Sequence, residues 1–141
     1  GGGVQDTSRE SGRFNDPHDL KMDSQGRLFV ADRGNNRIQI FNQDGELLDI
    51  WTQFGRPSGI WIDDNGTIYV ADGMSGEQWN RGWERGIRIG DVSSGYVTEF
   101  IPDYEVPTGS GIEFLASDAE GNIYAGQVGR QRFEKYVRVR P

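Results

Sequence analysis

Cysteine is absent and histidine occurs once, at position 18, in a chain of 141 residues. The first absence excludes thiolate metal sites, disulfide staples and a cysteine nucleophile, and it leaves the redox compartment unmarked. The second forbids a three-histidine metal site within one copy. Basic residues are the minority: 15 Lys and Arg stand against 22 Asp and Glu, a formal charge of −7. Nucleic acid is therefore not an expected partner, because phosphate binding needs a basic surface. No apolar run approaches the roughly 20 residues of a membrane span, so no membrane partner is expected either. Residues 1–13 lack the apolar core of a signal peptide and read as a flexible polar segment. No nucleophile elbow, phosphate loop, dinucleotide fingerprint or paired-cysteine motif occurs.

Glycine is what the chain has in excess. Its 21 residues are about twice the usual share of roughly 7%, which favours short strands joined by tight turns over helices. Internal repetition accounts for much of it. Residues 17–32 and 57–72 align without a gap at an offset of 40, sharing Pro17 and Pro57, Asp23 and Asp63, Gly26 and Gly66, Val30 and Val70, Ala31 and Ala71, and Asp32 and Asp72. A third copy covers 113–127, offset by 55 from the second. The longer spacing comes from an insertion at 74–85 and from Pro107, displaced upstream.

Each copy holds a polar turn ending in glycine between apolar runs: Asp23 to Gly26, Asp63 to Gly66 and Asp118 to Gly121. Asp caps such a turn and Gly supplies the positive φ, which is hairpin chemistry. The Asp63-Asp64-Asn65-Gly66 run lacks the alternating ligands and terminal Glu of a calcium loop, so it too reads as a turn. A second turn follows in each of the first two copies, Asn42 to Gly45 and Asp91 to Gly95. The runs 27–31, 37–41, 46–51, 67–71, 87–89 and 96–101 are β-branched and aromatic with near period-2 alternation. Strands over 113–117, 122–125 and 133–139 complete the reading. Four strands per repeat of about 40 residues is the arithmetic of a β-propeller blade.

The expected fold is thus all-β, with three blades over about 14–53, 54–104 and 105–141, the third lacking its own outer strand. Three blades leave a bare face at each end. Either further copies complete a ring, a homodimer being the simplest, or the remaining blades are supplied by another part of a longer protein. The polar stretch 4–13 is a poor candidate for the missing strand.

Equivalent positions of successive blades face a common axis, which places His18, Ser58 and Glu113 around one channel. A histidine and a carboxylate there can share zinc or another divalent ion if a third ligand is supplied. The alternative is that His18 hydrogen-bonds loop backbone at the channel mouth. Arg33, after the second strand, suits a carboxylate ligand by bidentate pairing, while Asp32 and Asp72 tie down neighbouring backbone. The insertion carries Trp79, Arg81 and Trp83, the composition of a recognition surface for a peptide or small molecule; otherwise it folds over its own blade edge. The basic tail 130–140 reads as a strand with one solvated face.

Phe14-Asn15-Asp16-Pro17-His18-Asp19-Leu20 together with Val30-Ala31-Asp32-Arg33-Gly34-Asn35-Asn36-Arg37-Ile38-Gln39 resembles the NHL repeat, and within that superfamily the six-bladed propeller of peptidyl-α-hydroxyglycine α-amidating lyase. The similarity covers about 14–138 and corresponds to that propeller's C-terminal three blades. It implies an axial zinc held by histidines of different blades, with His18 matching one of them and Arg33 matching a substrate-binding arginine. Glu113-Phe114 stands where a second Pro-His-Asp is expected, a departure from the lyase pattern. A secreted or periplasmic location is likewise what the resemblance implies. Two functions follow. One is a non-enzymatic propeller module that binds ligands or partners and completes its ring by association. The other is a metal-dependent lyase or hydrolase site in which His18 and Glu113 hold the ion and Arg33 and Glu113 act on substrate.

Overall fold

The computed structural model describes residues 9–105 and 109–140; residues 1–8 of the polar segment and Pro107 lie outside them. Among the described residues eleven strands form three antiparallel sheets. The first is β1 (Pro17–Met22), β2 (Leu28–Asp32), β3 (Arg37–Phe41) and β4 (Leu47–Trp51), hydrogen-bonded in sequence order. The second is β5 (Gly59–Ile62), β6 (Thr67–Asp72), β7 (Gly86–Asp91) and β8 (Val97–Pro102). The third has β9 (Ile112–Ser117), β10 (Ile123–Gln127) and β11 (Arg132–Tyr136), and no fourth strand among the described residues. This is the meander of propeller blades. The strand expected to run to Val139 ends at Tyr136, where the next backbone N–H groups leave the ladder and that of Arg138 turns back to the Asn122 side chain.

The turns form by the chemistry their residues carry. Asp23 Oδ1 accepts the amides of Gln25 and Arg27, Asp63 Oδ1 those of Asn65 and Thr67, and Asp118 Oδ1 those of Glu120 and Asn122. Gly26, Gly66 and Gly121 close them at φ of 76, 79 and 83°. Asp91 caps the β7–β8 turn through Ser93 and Ser94. Their hydroxyls and amides, that of Ser93 foremost, hold its carboxyl down from 3.8 to about 2. A depressed carboxyl stabilises the fold above its ordinary value, and that contribution is lost as pH falls from about 4 toward 2. Asp91→Asn is therefore expected to flatten the fall of Tm across that window; an unchanged acid profile would mean that the turn opens before the carboxyl titrates.

Two cores sit between the sheets rather than one at the centre. Phe29, Ile38, Ile40, Trp51, Phe54, Ile60, Ile68 and Val70 fill the space between the first and second sheets. Tyr69, Ala71, Ile87, Ile89, Ile112, Leu115 and Ile123 fill that between the second and third. Strand β6 shows the cause. Its side chains alternate at period two, so Ile68 and Val70 enter one core while Tyr69 and Ala71 enter the other. Among the described residues the outer sheets have no such second neighbouring sheet. Leu20 and Met22 on β1 are 52% and 53% exposed, and Phe114 and Phe133 on the third sheet 59% and 74%. Part of the first sheet's outer side is covered by residues 9–14, which the sequence assigns largely to a flexible segment. The Arg13 carbonyl accepts from Arg37 and Gln39, Gly12 N–H donates to Gln39, and Phe14 packs on Phe41 at 5.8 Å between ring centres. No helix among the described residues is long and apolar enough to cross a membrane.

Candidate functional site

The site is built from the beginnings of β1, β5 and β9 and from the turn after β2. His18 is the extra residue of a β-bulge: Pro17 pairs with Asp32 and Asp19 with Ala31, leaving position 18 without an opposite number. Glu113 is the extra residue of a second bulge, between Ile112, paired with Gln127, and Phe114, paired with Gly126. Bulges re-aim a side chain out of the strict alternation of a strand. These two turn His18 and Glu113 toward each other, with His18 Nε2 3.5 Å from Glu113 Oε2. The repeat at Ser58 adds a backbone contact, since the Ser58 carbonyl lies 2.8 Å from His18 Nδ1. A carbonyl only accepts, so Nδ1 carries the proton and the face of Nε2 is left toward the carboxylate. The sheets approach closely here: a Cβ on Gly59 would overlap the Glu113 carbonyl oxygen, so only glycine lets β5 and β9 draw the two side chains together.

Arg33 opens a 3-10 turn, Arg33–Asn35, directly after Asp32. Its Nε and Nη2 donate to Asp16 Oδ2 at 2.9 and 2.8 Å, and its Nη1 lies 3.5 Å from Glu113 Oε1. Three of the residues singled out from sequence, His18, Arg33 and Glu113, thus meet in one cluster, with Glu113 in the middle. Asp32 and Asp72 hold backbone as expected. Asp32 Oδ1 accepts the amide of Asn15, and Asp72 takes the amides of Arg56 and Ser75. Each Asp also anchors the third strand of its own sheet, Asp32 through Gln39 and Arg37, Asp72 through Arg88 at 3.1 Å. In the third sheet the same two positions carry the reverse chemistry, Gln127 donating to Glu134.

The insertion residues go to different places. Trp79 lies over the guanidinium of Arg56 at 4.9 Å, beside the cluster. Trp83 lies over Arg88 at 4.9 Å, and Phe100 approaches the same guanidinium at 4.5 Å. Arg81 is exposed and pairs only with Glu77, at 3.4 Å, among the described residues. Ser75, Asn80 and Arg85 tie the loop to its own sheet, so the fold-over arrangement describes most of it, while Trp79 reaches Arg56. Sequence reasoning missed Arg56. It is the repeat mate of Asp16, 40 positions on and likewise just before a proline, and that equivalence was the available signal. Its Nη1 donates to Asn36 Oδ1 at 3.0 Å. Burial first, and then the nearby positive charge of Arg33, lowers its pKa from the usual arginine value.

His18 with its tautomer set by a carbonyl, facing a carboxylate, is the orientation of a metal-binding histidine. The pair fits two positions of a divalent site, and among the described residues no group of three His, Asp or Glu side chains completes it.

A family model described as NHL repeat matches residues 14–41, the span that holds His18 and Arg33. NHL repeat-containing protein 3 of Homo sapiens is 32% identical over 131 residues, covering 89% of this chain and 36% of that protein. Peptidyl-glycine alpha-amidating monooxygenase B of Xenopus laevis is 32% identical over 130 residues, covering 82% of this chain and 13% of that protein. The chain thus spans about a third or less of the length of these relatives. Among solved structures, the extracellular domain of a Bacteroides thetaiotaomicron hybrid two-component system superposes with a TM-score of 0.56 at 19% identity, covering 85% of this chain and 16% of that one. At such identity the likeness is one of fold.

Proposed function

We propose that this chain, an NHL-repeat β-propeller protein by its matched repeat, its relatives and its blade-like sheets, is a binding scaffold whose open blade faces are completed by a second copy. The observation that supports this is a pair of apolar patches exposed among the described residues, Leu20 and Met22 at one end and Phe114 and Phe133 at the other. The middle sheet covers both of its faces with just such side chains. Joining the two ends buries them in the same way and, around a two-fold axis, brings two His18–Glu113–Arg33 clusters to one channel. The ligand is a peptide or small molecule met at that channel and at Trp79. An extracellular or periplasmic setting is in keeping with the extracellular domain that shares the fold.

Light scattering over a dilution series tests the association. The expected mass is near twice 15.8 kDa, and Phe133→Glu is expected to return it to the monomer. A monomer at all concentrations overturns completion by self-association.

The His18–Glu113 geometry favours a second reading, a metal-dependent lyase-like or hydrolase-like centre. There the two side chains hold zinc, which when bound supplies Lewis acidity. Arg33 orients a substrate carboxylate, and Glu113 exchanges a proton at its second oxygen. Saturable zinc uptake that His18→Ala removes is the result expected of this reading; no uptake by the wild-type chain, dimeric or not, overturns it.

A further inference from the structure

Three arginines are more than nine-tenths buried: Arg37, Arg56 and Arg88, at 8, 6 and 6% exposure. Two of them are neutralised at contact distance, Arg37 by Asp32 at 2.6 Å and Arg88 by Asp72 at 3.1 Å. Arg56 has no ion pair among the described residues. Its one side-chain hydrogen bond is to the neutral amide oxygen of Asn36, and its Nε is buried with no partner at all. A guanidinium does not escape this by losing its proton, and a buried charge without a counter-charge in contact is costly. The surrounding field is mixed, since Arg33 opposes the charge while Asp16 and Asp72, neither of them in ion-pair contact with the guanidinium, favour it. Two residues on, Ser58 is wholly buried and its Oγ also lacks a partner. Native interiors rarely leave such donors unmatched.

We infer that Arg56 is the anion-binding residue of a ligand site on the face that Trp79 covers, and that the group it takes is the carboxylate of a monoanionic ligand with an apolar body. The fork of the guanidinium matches a planar carboxylate, and a single negative charge supplies the contact partner that the buried Nε lacks. A dianion such as phosphate overcompensates among Asp16, Asp72 and Glu113 in a chain that is already acidic. The Trp79 ring, 42% exposed and stacked on the same guanidinium at 4.9 Å, supplies an apolar wall for the ligand body. Such a site is independent of ring completion, because every residue in it belongs to one copy.

The test is a titration of the wild-type chain followed by nitrogen-proton NMR at the Arg56 Nε–H, at constant ionic strength. Benzoate is the probe, acetate the carboxylate without the large body, benzamide the uncharged isostere, and phosphate the dianion. Benzoate is expected to shift the Nε–H resonance saturably and at several-fold lower concentration than acetate, with benzamide and chloride inert and phosphate weaker. Arg56→Met is expected to abolish the accompanying change in tryptophan emission, and Arg56→Lys to weaken benzoate at least several-fold. A resonance unmoved by tens of millimolar benzoate overturns the inference, as does an emission response that survives in Arg56→Met. Equal shifts by benzamide overturn the carboxylate, and tighter binding of phosphate overturns the monoanion. The wild-type titration decides even if neither variant folds.

Discussion

Asp72→Ala is expected to lower the unfolding free energy by about 3–5 kcal/mol, the usual cost of leaving a buried charge without its partner. Asp72 is fully buried, and its carboxylate is the junction of the second sheet. It accepts from the Ser75 hydroxyl at 2.6 Å, from the amides of Ser75 and Arg56 at 2.9 and 3.0 Å, and from Arg88 at 3.1 Å. Alanine strands these donors together with the Met74 amide and leaves the Arg88 cation between two aromatic rings with no counter-charge in contact. The loss reaches the candidate site as well, because the Arg56 amide is one of the groups released. Urea unfolding followed by circular dichroism measures it. The double variant Asp72→Ala with Arg88→Met is expected to recover part of the loss, since it removes the stranded cation. A loss below about 1 kcal/mol in the single variant would show that water replaces the carboxylate and that the sheet does not depend on it.

Phe54→Ala is expected to cost about as much, roughly 3–5 kcal/mol, by deleting a buried aromatic and leaving a cavity. Phe54 is 1% exposed in the connection between the first two sheets and stacks on Trp51 at 5.8 Å, while Trp51 meets Phe29 edge-on at 5.4 Å. This trio joins one sheet to the next at a point where no backbone ladder does. The variant's Trp51 emission is expected to move to the red as water reaches the ring, together with a lowered urea midpoint. Phe14→Ala, whose ring is 39% exposed on the outer side of the first sheet, serves as the comparison and is expected to cost under about 1.5 kcal/mol. Similar losses in the two variants would mean that the sheets are not held by this core.

How much of this was legible beforehand differs by residue. The run 37–41 coincides with β3 and 67–71 falls within β6, because β-branched alternation and Asp-to-Gly turns act over a few neighbours and need no tertiary context. His18 and Glu113 were placed together by repeat equivalence alone. Ring symmetry converts an offset in sequence into a common direction in space, and the 3.5 Å between them agrees with it. Arg81 shows the limit of composition as a guide. An arginine between two tryptophans resembles a recognition surface; among the described residues Arg81 pairs with Glu77, while Trp79 and Trp83 cover arginines from other parts of the chain. The end of β11 was also misjudged. Phe133, Val137 and Val139 continue the alternation past Tyr136, yet the ladder ends there and the Arg138 amide bonds the Asn122 side chain instead.

By itself, then, the sequence determined the repeat, the strands and turns within each copy and the all-β class, since each depends on short-range patterning. Three things were decided by tertiary structure alone. The bulges at His18 and Glu113 are mismatches between two strands and exist only when the strands pair. The division of the core into two follows from which sheets have neighbours on both faces. That Arg56 has no contact ion pair among the described residues is a property of what lies around it, because a counter-ion is supplied by proximity in space and the sequence records only proximity along the chain.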